Sequence, residues 1–268
     1  MKGSFKLKEG YTCRMPASLK NYPYDANVRV VYDDCRCISV DQRTDETELA
    51  TLIPEEFEIL SPIVNWQYCN CRGVDFMMMG EYRILQASVP VRYTGQDGPV
   101  DGIYPLLILE DNVVPVLGGR EEDGMPKTVC DISIDRHFGK EWFAAASQDC
   151  ETVARVRFTE EEEFPAELME KFNNNGPVNA FGNRCLPYPD KPGMAYHDYI
   201  LYPQEMTVKK GFTGKGEITV CPPDAWYVQP YLCGMLYALD KLPKLGYENA
   251  WRAECVLRLC VSDSRVLK

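Results

Sequence analysis

Short runs of β-branched and aromatic residues, separated by turn residues, dominate the pattern along this chain. The run Val28–Tyr32 and its continuation over Cys35–Val40 predict extended structure near the N-terminus. Tyr104–Leu109 is an apolar run and predicts a buried strand. Further strands are predicted over residues 63–69, 77–93, 128–135, 140–147, 151–158, 195–201, 205–209, 216–221 and 253–261.

Two short helices and one charged loop interrupt this pattern. The first helix is predicted to open at Thr44, with a capping hydroxyl and early acids, and to close at Pro54. The second begins at Pro165 and runs through Lys171. The segment Gly118–Lys127 has glycines at its start and a dense set of charges, and it is predicted to be a loop.

The turn residues favour antiparallel neighbours. His137-Phe138-Gly139-Lys140 predicts a hairpin within a meander. Many antiparallel strands with a few short helices indicate a mainly β (α+β) fold, a closed or nearly closed antiparallel barrel. No repeat, low-complexity tract or linker divides the chain, so residues 1–268 are predicted to form a single domain. A barrel interior offers a place for a small ligand but does not by itself indicate a function.

Composition and charge narrow the classes of partner. The chain of 268 residues carries 29 Lys+Arg against 40 Asp+Glu, a net charge of -11, with 45% hydrophobic and 11% aromatic residues. The aromatic content argues against disorder, and an acidic chain repels nucleic-acid phosphates, so no nucleic-acid partner is expected. No secretory signal is recognisable, and the longest uncharged run is shorter than the ~20 residues a membrane span needs. The sequence therefore predicts a cytoplasmic protein with no membrane partner.

The cysteines raise the question of a metal site. Twelve cysteines include two Cys-x-Cys pairs, Cys35/Cys37 and Cys69/Cys71, which share a face if they lie on strands. This spacing differs from that of zinc ribbons and knuckles, and His137 and His197 are the only imidazoles. Buried reduced thiols are therefore the favoured interpretation, and no metal and no cofactor are predicted.

One residue of the charged loop could carry covalent chemistry. Lys127 follows Met125-Pro126 and precedes the apolar start of a strand. A lysine amine that is removed from water gives up its proton more readily, and the neutral amine can attack a carbonyl to form a Schiff base. On its context alone, Lys127 is equally one of many basic residues at the mouth of a strand.

An ordered set of segments resembles the acetoacetate decarboxylase superfamily over most of residues 28–158. The segments are Pro54–Ile59, Val64–Tyr68, Gly80-Glu81-Tyr82, Val89-Pro90-Val91 with Tyr93, Tyr104–Asp111, Gly119-Arg120-Glu121 and Pro126-Lys127. The resemblance implies a β-barrel-like fold with a few short helices and assembly into a homo-oligomer. It also implies that the Schiff-base lysine of that family, the standard example of an activated lysine, falls on Lys127.

The departures from the family pattern affect the expected substrate. The second lysine that follows the Schiff-base lysine in the decarboxylase is Thr128 here. Of the two active-site glutamates that the resemblance implies, one falls on Glu81 and the other on Gln67. The early arginine that receives the substrate carboxylate falls near Asp25, so another arginine would have to hold an anion. The candidates are Arg29, Arg83 and Arg120, of which Arg120 is favoured as a structural part of the Gly-Arg-Glu turn. These losses weaken the case for acetoacetate more than they weaken the case for Schiff-base chemistry.

The site that follows from the resemblance combines three catalytic residues. Lys127 is predicted to form the imine, Glu81 to move protons, and Gln67 to orient the carbonyl. The residues predicted to contact substrate are Arg120, Tyr82, Tyr104, Met125 and Thr128. The predicted function is a Schiff-base-forming lyase acting on a keto or β-keto small molecule, by decarboxylation or by aldol, retro-aldol and dehydration steps, in a specialised metabolic pathway.

Two alternatives remain open from the sequence. Thr128 in place of a second lysine is compatible with a non-covalent isomerase or cyclase that moves protons on a polyketide-like substrate. A non-catalytic binding barrel is the other alternative. The substrate, the bond that breaks and the number of subunits are not specified by the sequence.

Overall fold

The computed structural model describes residues 2–223 and 230–268, and these residues contain sixteen strands and four short helices. The strands are β1 (Tyr11–Cys13), β2 (Asn21–Pro23), β3 (Val30–Arg43), β4 (Phe57–Ile59), β5 (Ile63–Val74), β6 (Gly80–Tyr93), β7 (Val100–Glu110), β8 (Lys127–Val129), β9 (Asp131–Ile132), β10 (Arg136–Phe138), β11 (Glu141–Gln148), β12 (Glu151–Glu163), β13 (Val178–Pro187), β14 (Met194–Val220), β15 (Gly246–Leu259) and β16 (Arg265–Leu267). The helices are α1 (Glu46–Ala50), α2 (Val113–Glu121), α3 (Ala166–Asn174) and α4 (Cys233–Lys241), and short 3-10 helices cover Asp75–Met77 and Val261–Asp263. No helix within these residues is both long and apolar enough to cross a membrane.

Seven strands pair in a closed ring, in the order β14, β13, β7, β6, β5, β3, β15 and back to β14. All of these pairings are antiparallel except that of β13 with β7. The second half of β14 also pairs with β12. Strand β11 pairs with β12, and β10 pairs with β11, so these three strands extend the sheet beyond the ring. The predicted mainly β, barrel-like architecture is confirmed.

The apolar interior follows the alternation of the ring strands. The largest cluster of buried side chains includes Trp66 and Tyr68 of β5, Leu85 of β6, and Phe158 of β12. A second cluster contains five cysteines of β3, β5 and β15 together with Tyr32 and Tyr82. The predicted core thiols therefore lie side by side on neighbouring strands, and all twelve cysteines are free.

Several predicted elements are merged in the structure. The two N-terminal runs form the single strand β3, and three predicted strands form the 27-residue β14. The hairpin at Gly139 is present, with Phe138 facing Glu141. In the first predicted helix, the cap is the Asp45 side chain, which accepts from the Glu48 amide, rather than the Thr44 hydroxyl. Helix α4 lies outside the helices and strands predicted from the sequence.

The prediction of a loop over Gly118–Lys127 is wrong in its first part. Helix α2 continues to Glu121, and its N-terminus is capped by the Asn112 side chain. Glycine costs about 1 kcal/mol relative to alanine inside a helix, which is why the sequence favoured a loop. Gly119 is buried against the Lys127 side chain, so tertiary contacts outweigh the propensity.

Candidate functional site

Cross-strand registers bring distant polar residues to one face of the ring. Gln67 of β5 faces Gln86 of β6, Gln86 faces Ile108 of β7, and Ile108 faces Lys127 of β8. These four residues therefore form one row across four strands, with about 4.8 Å between neighbouring strands. The next row on the same face contains Cys69, Ile84 and Glu110, because side chains alternate with a period of two.

These rows line a small interior cavity of about 80 Å³, which we call the inner cavity. Its polar lining consists of Gln67, Gln86, Gln204, Glu110, Asp123, Lys127 and the tyrosines Tyr32, Tyr82 and Tyr202. Its remaining walls are apolar side chains and thiols. Lys127 is the one basic residue among these lining residues.

Lys127 is paired with a buried carboxylate. Its Nζ lies 2.8 Å from Oε1 of Glu110, and the exposed fractions of the two side chains are 15% and 1%. Burial raises the pKa of the Glu110 carboxyl, and the attraction of Lys127 opposes part of this rise. Neither Glu110 oxygen accepts a hydrogen bond of good geometry within the described part of the chain. The contact with Lys127 is therefore the interaction that holds this carboxylate.

Helix α2 fixes the path of the Lys127 side chain. A Cβ on Gly119 would lie 2.5 Å from Cε and 2.9 Å from Nζ of Lys127, so only glycine leaves room for the amine. Nζ also donates to the Pro115 carbonyl over 3.3 Å, and the Arg120 guanidinium donates to the Lys127 carbonyl over 2.9 Å. Gly119 thus leaves space for the Lys127 side chain, and Arg120 contacts the Lys127 backbone.

A second carboxyl lies close to the amine. Asp123 lines the inner cavity, and burial raises its pKa to about 7, against the opposing attraction of Lys127. The Asp123 carbonyl also approaches Gly182 of β13 so closely that a Cβ there would lie 1.6 Å away. The close contact with β13 holds the segment that connects α2 to Lys127 in place.

Gln67 and Tyr82 also line the inner cavity. The Gln86 amide donates to Oε1 of Gln67 over 3.0 Å, which leaves the Gln67 amide nitrogen free of that bond. The Tyr82 and Tyr32 hydroxyls lie 2.9 Å apart, and burial raises the pKa of both phenols. Met125 completes the wall beside Lys127.

Glu81 lies apart from these residues, which corrects its expected place beside Lys127. Its side chain is 51% exposed and is paired with Arg83, and it does not line the inner cavity. The reason is alternation along β6, since Tyr82 faces the cavity and its neighbour Glu81 therefore points to the opposite face. Thr128 follows Lys127 on β8 and is turned away from the cavity for the same reason.

Arg120 and Tyr104 border a different space. Both line a cavity of about 500 Å³ on the other side of Met125 and Pro126. Tyr104 accepts a hydrogen bond from the Asn183 amide over 3.2 Å. Of the residues predicted to contact substrate, Tyr82 and Met125 therefore lie with Lys127, whereas Arg120, Tyr104 and Thr128 do not line the inner cavity.

Sequence reasoning missed Glu110 and Asp123. Glu110 is the charged residue that ends the apolar run of β7, and a lone charge at such a position is a usable signal. Asp123 is the last of three consecutive acids, and no local pattern distinguishes it from Glu121 and Glu122. Only the register of β7 with β8 places Glu110 beside the lysine.

A wider cavity of about 250 Å³, which we call the outer cavity, adjoins the inner one. The two cavities share Tyr32, Asp123, Lys127, Tyr202 and Leu259. The amine of Lys127 therefore lies between a smaller and a larger cavity.

A comparison with protein families identifies the family of this chain. The family model described as acetoacetate decarboxylase (ADC) matches residues 14–228, which include every residue of the Lys127 site except the C-terminal Leu257 and Leu259. The chain belongs to the acetoacetate decarboxylase family. The predicted superfamily is therefore confirmed.

Curated members of the acetoacetate decarboxylase family match over a limited segment. The chain is 34% identical over 93 residues to acetoacetate decarboxylase 1 of Bradyrhizobium diazoefficiens, and the match covers 35% of each protein. It is 33% identical over 94 residues to acetoacetate decarboxylase of Burkholderia vietnamiensis, covering 35% of this chain and 36% of that protein. The matched segment thus spans about a third of these relatives.

Solved structures of the acetoacetate decarboxylase fold resemble the whole chain. Acetoacetate decarboxylase from Legionella pneumophila superposes with a TM-score of 0.72 at 17% identity, covering 100% of this chain and 92% of that one. An acetoacetate decarboxylase-like enzyme from Sphingomonas wittichii RW1 gives 0.69 at 15%, covering 95% and 97%. The enduracididine biosynthesis enzyme MppR complexed with pyruvate gives 0.66 at 15%, covering 90% of both chains. At these identities the likeness establishes the fold.

Proposed function

We propose that this protein is a Schiff-base-forming lyase that acts on a small keto compound through Lys127. The observation that carries the proposal is the Lys127 amine inside the inner cavity, 2.8 Å from the buried Glu110 carboxylate. Membership of the acetoacetate decarboxylase family supports the same chemistry. MppR, which shares the fold, has been solved with the condensation product of pyruvate and imidazole 4-carboxaldehyde, so carbonyl chemistry in this fold includes aldol-type bond formation.

In this proposal Glu110 is the base that removes the proton from Lys127, since no second lysine follows Lys127 to favour the neutral amine. Proton transfer from the Lys127 ammonium to Glu110 replaces a buried ion pair by a neutral amine and a neutral acid, and burial favours neutral groups. The free amine attacks the substrate carbonyl, and Glu110 returns its proton to the oxygen. Glu110 then takes a proton from the attacking nitrogen and passes it to the same oxygen, which leaves as water, and a protonated imine joins Lys127 to the substrate.

The protonated imine accepts the electron pair of the bond that breaks. Cleavage between the carbons α and β to the original carbonyl leaves an enamine on Lys127, and protonation followed by hydrolysis of the imine releases the product and restores the amine. Asp123 is the second acid at the amine, and its pKa of about 7 suits it to exchange a proton with a substrate hydroxyl near neutral pH. Gln67 orients the carbonyl oxygen through its amide.

Charge favours aldol-type cleavage or dehydration over decarboxylation. Among the residues lining the inner cavity, Lys127 is the single cation, and its charge stays on the protonated imine that withdraws the electron pair, while Glu110 and Asp123 are acids. A substrate carboxylate there would lack the arginine or lysine that normally holds it. A substrate hydroxyl β to the carbonyl needs no cation, since Asp123 can exchange a proton with it.

Reductive trapping tests the proposal directly. The protein is incubated with ketones, β-diketones and β-keto acids in the presence of borohydride, and adducts are located by peptide mass spectrometry. We expect an adduct on Lys127, and none in Lys127→Ala or Lys127→Arg, because guanidinium stays protonated and forms no imine. A folded wild-type protein that gives no adduct with any carbonyl would refute the covalent mechanism.

The role of Glu110 has its own test. In Glu110→Gln, labelling near neutral pH is expected to slow by about 10²-fold, since an amide cannot take the proton of the ammonium. The rate should recover as pH rises, because hydroxide removes that proton instead. An unchanged pH profile would assign Glu110 a merely structural role.

A second candidate function uses the same groups without a covalent bond. In this function the Lys127 side chain, 2.8 Å from Glu110, polarises the carbonyl of the substrate while Asp123 moves a proton. This describes a non-covalent isomerase or cyclase. Turnover of a trial substrate without any borohydride-dependent inactivation would favour it.

A further inference from the structure

The outer cavity differs from the inner one in size and in chemistry. Its volume is about 250 Å³ against about 80 Å³, so the larger part of any bound substrate must lie in the outer cavity. Most of its own lining is apolar: Val28, Val30, Phe76, Val114, Pro115 and Val261. Such a wall favours hydrocarbon over water.

Both cations that line the outer cavity are already paired, Lys127 with Glu110 and Arg14 with Glu122. Arg14 Nη2 lies 2.5 Å from Oε2 of Glu122, and a second contact of the same pair makes it bidentate. A substrate carboxylate would have to break this pair before it gained a cation. The outer cavity thus offers no ready partner for an anion.

Two apolar side chains at the edge of the outer cavity remain exposed. Phe76 is 44% exposed although its ring packs edge-on against Tyr32, and Val114 is 53% exposed. Both lie beside the opening that leads to Lys127. An apolar group bound in the cavity would remove part of these surfaces from water, as apolar ligand sites generally do.

We infer that the outer cavity is a binding subsite for an apolar alkyl or aryl substituent of a neutral keto substrate whose carbonyl reaches Lys127. The inner cavity then takes the short substituent of the same carbonyl carbon. This inference rests on the proposed function for the carbonyl, but the subsite makes a claim about affinity that is tested separately. The substrate class is a ketone with one short and one longer hydrocarbon arm and no free carboxylate.

The test compares acetone, 2-pentanone, 2-octanone and 7-oxooctanoate in borohydride trapping, with the concentration that half-saturates Lys127 labelling as the readout. Each buried methylene contributes about fourfold at best, so 2-octanone is expected to half-saturate at a concentration at least tenfold below that for acetone. 7-Oxooctanoate should need at least tenfold more than 2-octanone. Equal values for acetone and 2-octanone, or for 2-octanone and 7-oxooctanoate, would overturn the inference.

A matched pair of variants on α2 locates the subsite. Val113 and Val114 are 52% and 53% exposed in the first turn of the helix, and Val114 alone lines the outer cavity. Val114→Asp is expected to shrink the preference for 2-octanone over acetone to less than threefold, whereas Val113→Asp keeps it. An equal response of the two variants would contradict the inference.

Two further outcomes separate the subsite from its alternatives. If no ketone labels Lys127, the covalent mechanism fails, and equilibrium dialysis of 2-octanone with wild type, Val114→Asp and Val113→Asp then decides the subsite on its own, with equal binding overturning it. If Val114→Asp changes the size of the protein in gel filtration and leaves 2-octanone binding unaltered, the apolar face is a contact between copies of the chain and the inference falls.

Discussion

Lys127 owes its position to a side chain that is missing. Gly119 lies on the buried face of α2, and the lysine stem passes over it at a distance that excludes a Cβ. The neighbouring Gly118 is different, since a Cβ there would meet only the end of Arg14 at 3.7 Å. A side chain at Gly119 would therefore disturb the site, whereas a side chain at Gly118 would not.

The Gly119→Ala variant is predicted to lose at least tenfold in the rate of Lys127 labelling, because the new methyl group displaces the amine from Glu110. Gly118→Ala is the control: labelling should stay within twofold of wild type, and the helix should gain up to about 1 kcal/mol in stability. Labelling by borohydride trapping and thermal unfolding measure the two effects. Unchanged labelling in Gly119→Ala would mean that the position of the amine is not set by α2.

At the scale of elements, the segment between α2 and β8 is held from both sides. The Met125 amide donates to the Gly119 carbonyl over 2.9 Å, and the Asn183 amide of β13 donates to the Gly124 carbonyl over 2.9 Å. Gly124 has φ +66° and its position faces the backbone of Arg184, so it too must be glycine. The segment that leads into Lys127 is thus part of the packed structure rather than a free loop.

Gly182→Ala is predicted to destabilise the protein by about 2–3 kcal/mol, since its Cβ would meet the Asp123 carbonyl at 1.6 Å and the backbone must move. Gly176→Ala is the comparison, because that glycine has φ +70° but no atom near its Cβ, and it should cost only about 1 kcal/mol. Chemical denaturation measures both free energies of unfolding. Equal losses would show that the contact between β13 and the segment is soft.

For the molecule as a whole, the buried Glu110 and the half-buried Asp123 make stability depend on pH. Burial raises the pKa of Asp123 to about 7 and raises that of Glu110 as well. In the unfolded chain such carboxyls ionise near pH 4. Between about pH 4 and 7 the folded state therefore binds more protons than the unfolded state, and the stability supplied by the protonated acid is lost as pH rises.

Asp123→Asn is predicted to remove the Asp123 part of this pH dependence. The free energy of unfolding of the variant minus that of wild type should be larger at pH 8 than at pH 4, by on the order of 1–2 kcal/mol. This is less than the full pKa shift implies, because the carboxyl borders a cavity that water can enter. Denaturation midpoints at a series of pH values give the difference. A constant difference between variant and wild type across pH 4–8 would contradict the raised pKa.

Much of the fold could be predicted from the sequence because strands and turns leave local patterns. Period-two alternation, β-branched runs and the turn at Gly139 depend on neighbours in the chain. Helix α2 could not be predicted, since two glycines contradict it locally and its stability comes from packing on β7 and β8. The merging of three runs into β14 likewise depends on partners that are far away in sequence.

Local patterns in the sequence specify a β-rich chain, and the order of its motifs predicts Lys127 as the reactive residue. Which acids lie near that lysine depends on the tertiary structure. Whether Glu81 or Tyr82 faces the cavity depends on the phase of β6, and whether Glu110 meets Lys127 depends on the register of β7 with β8. A shift by one residue would reverse every face, and closure of the ring fixes that register through contacts that no local pattern contains.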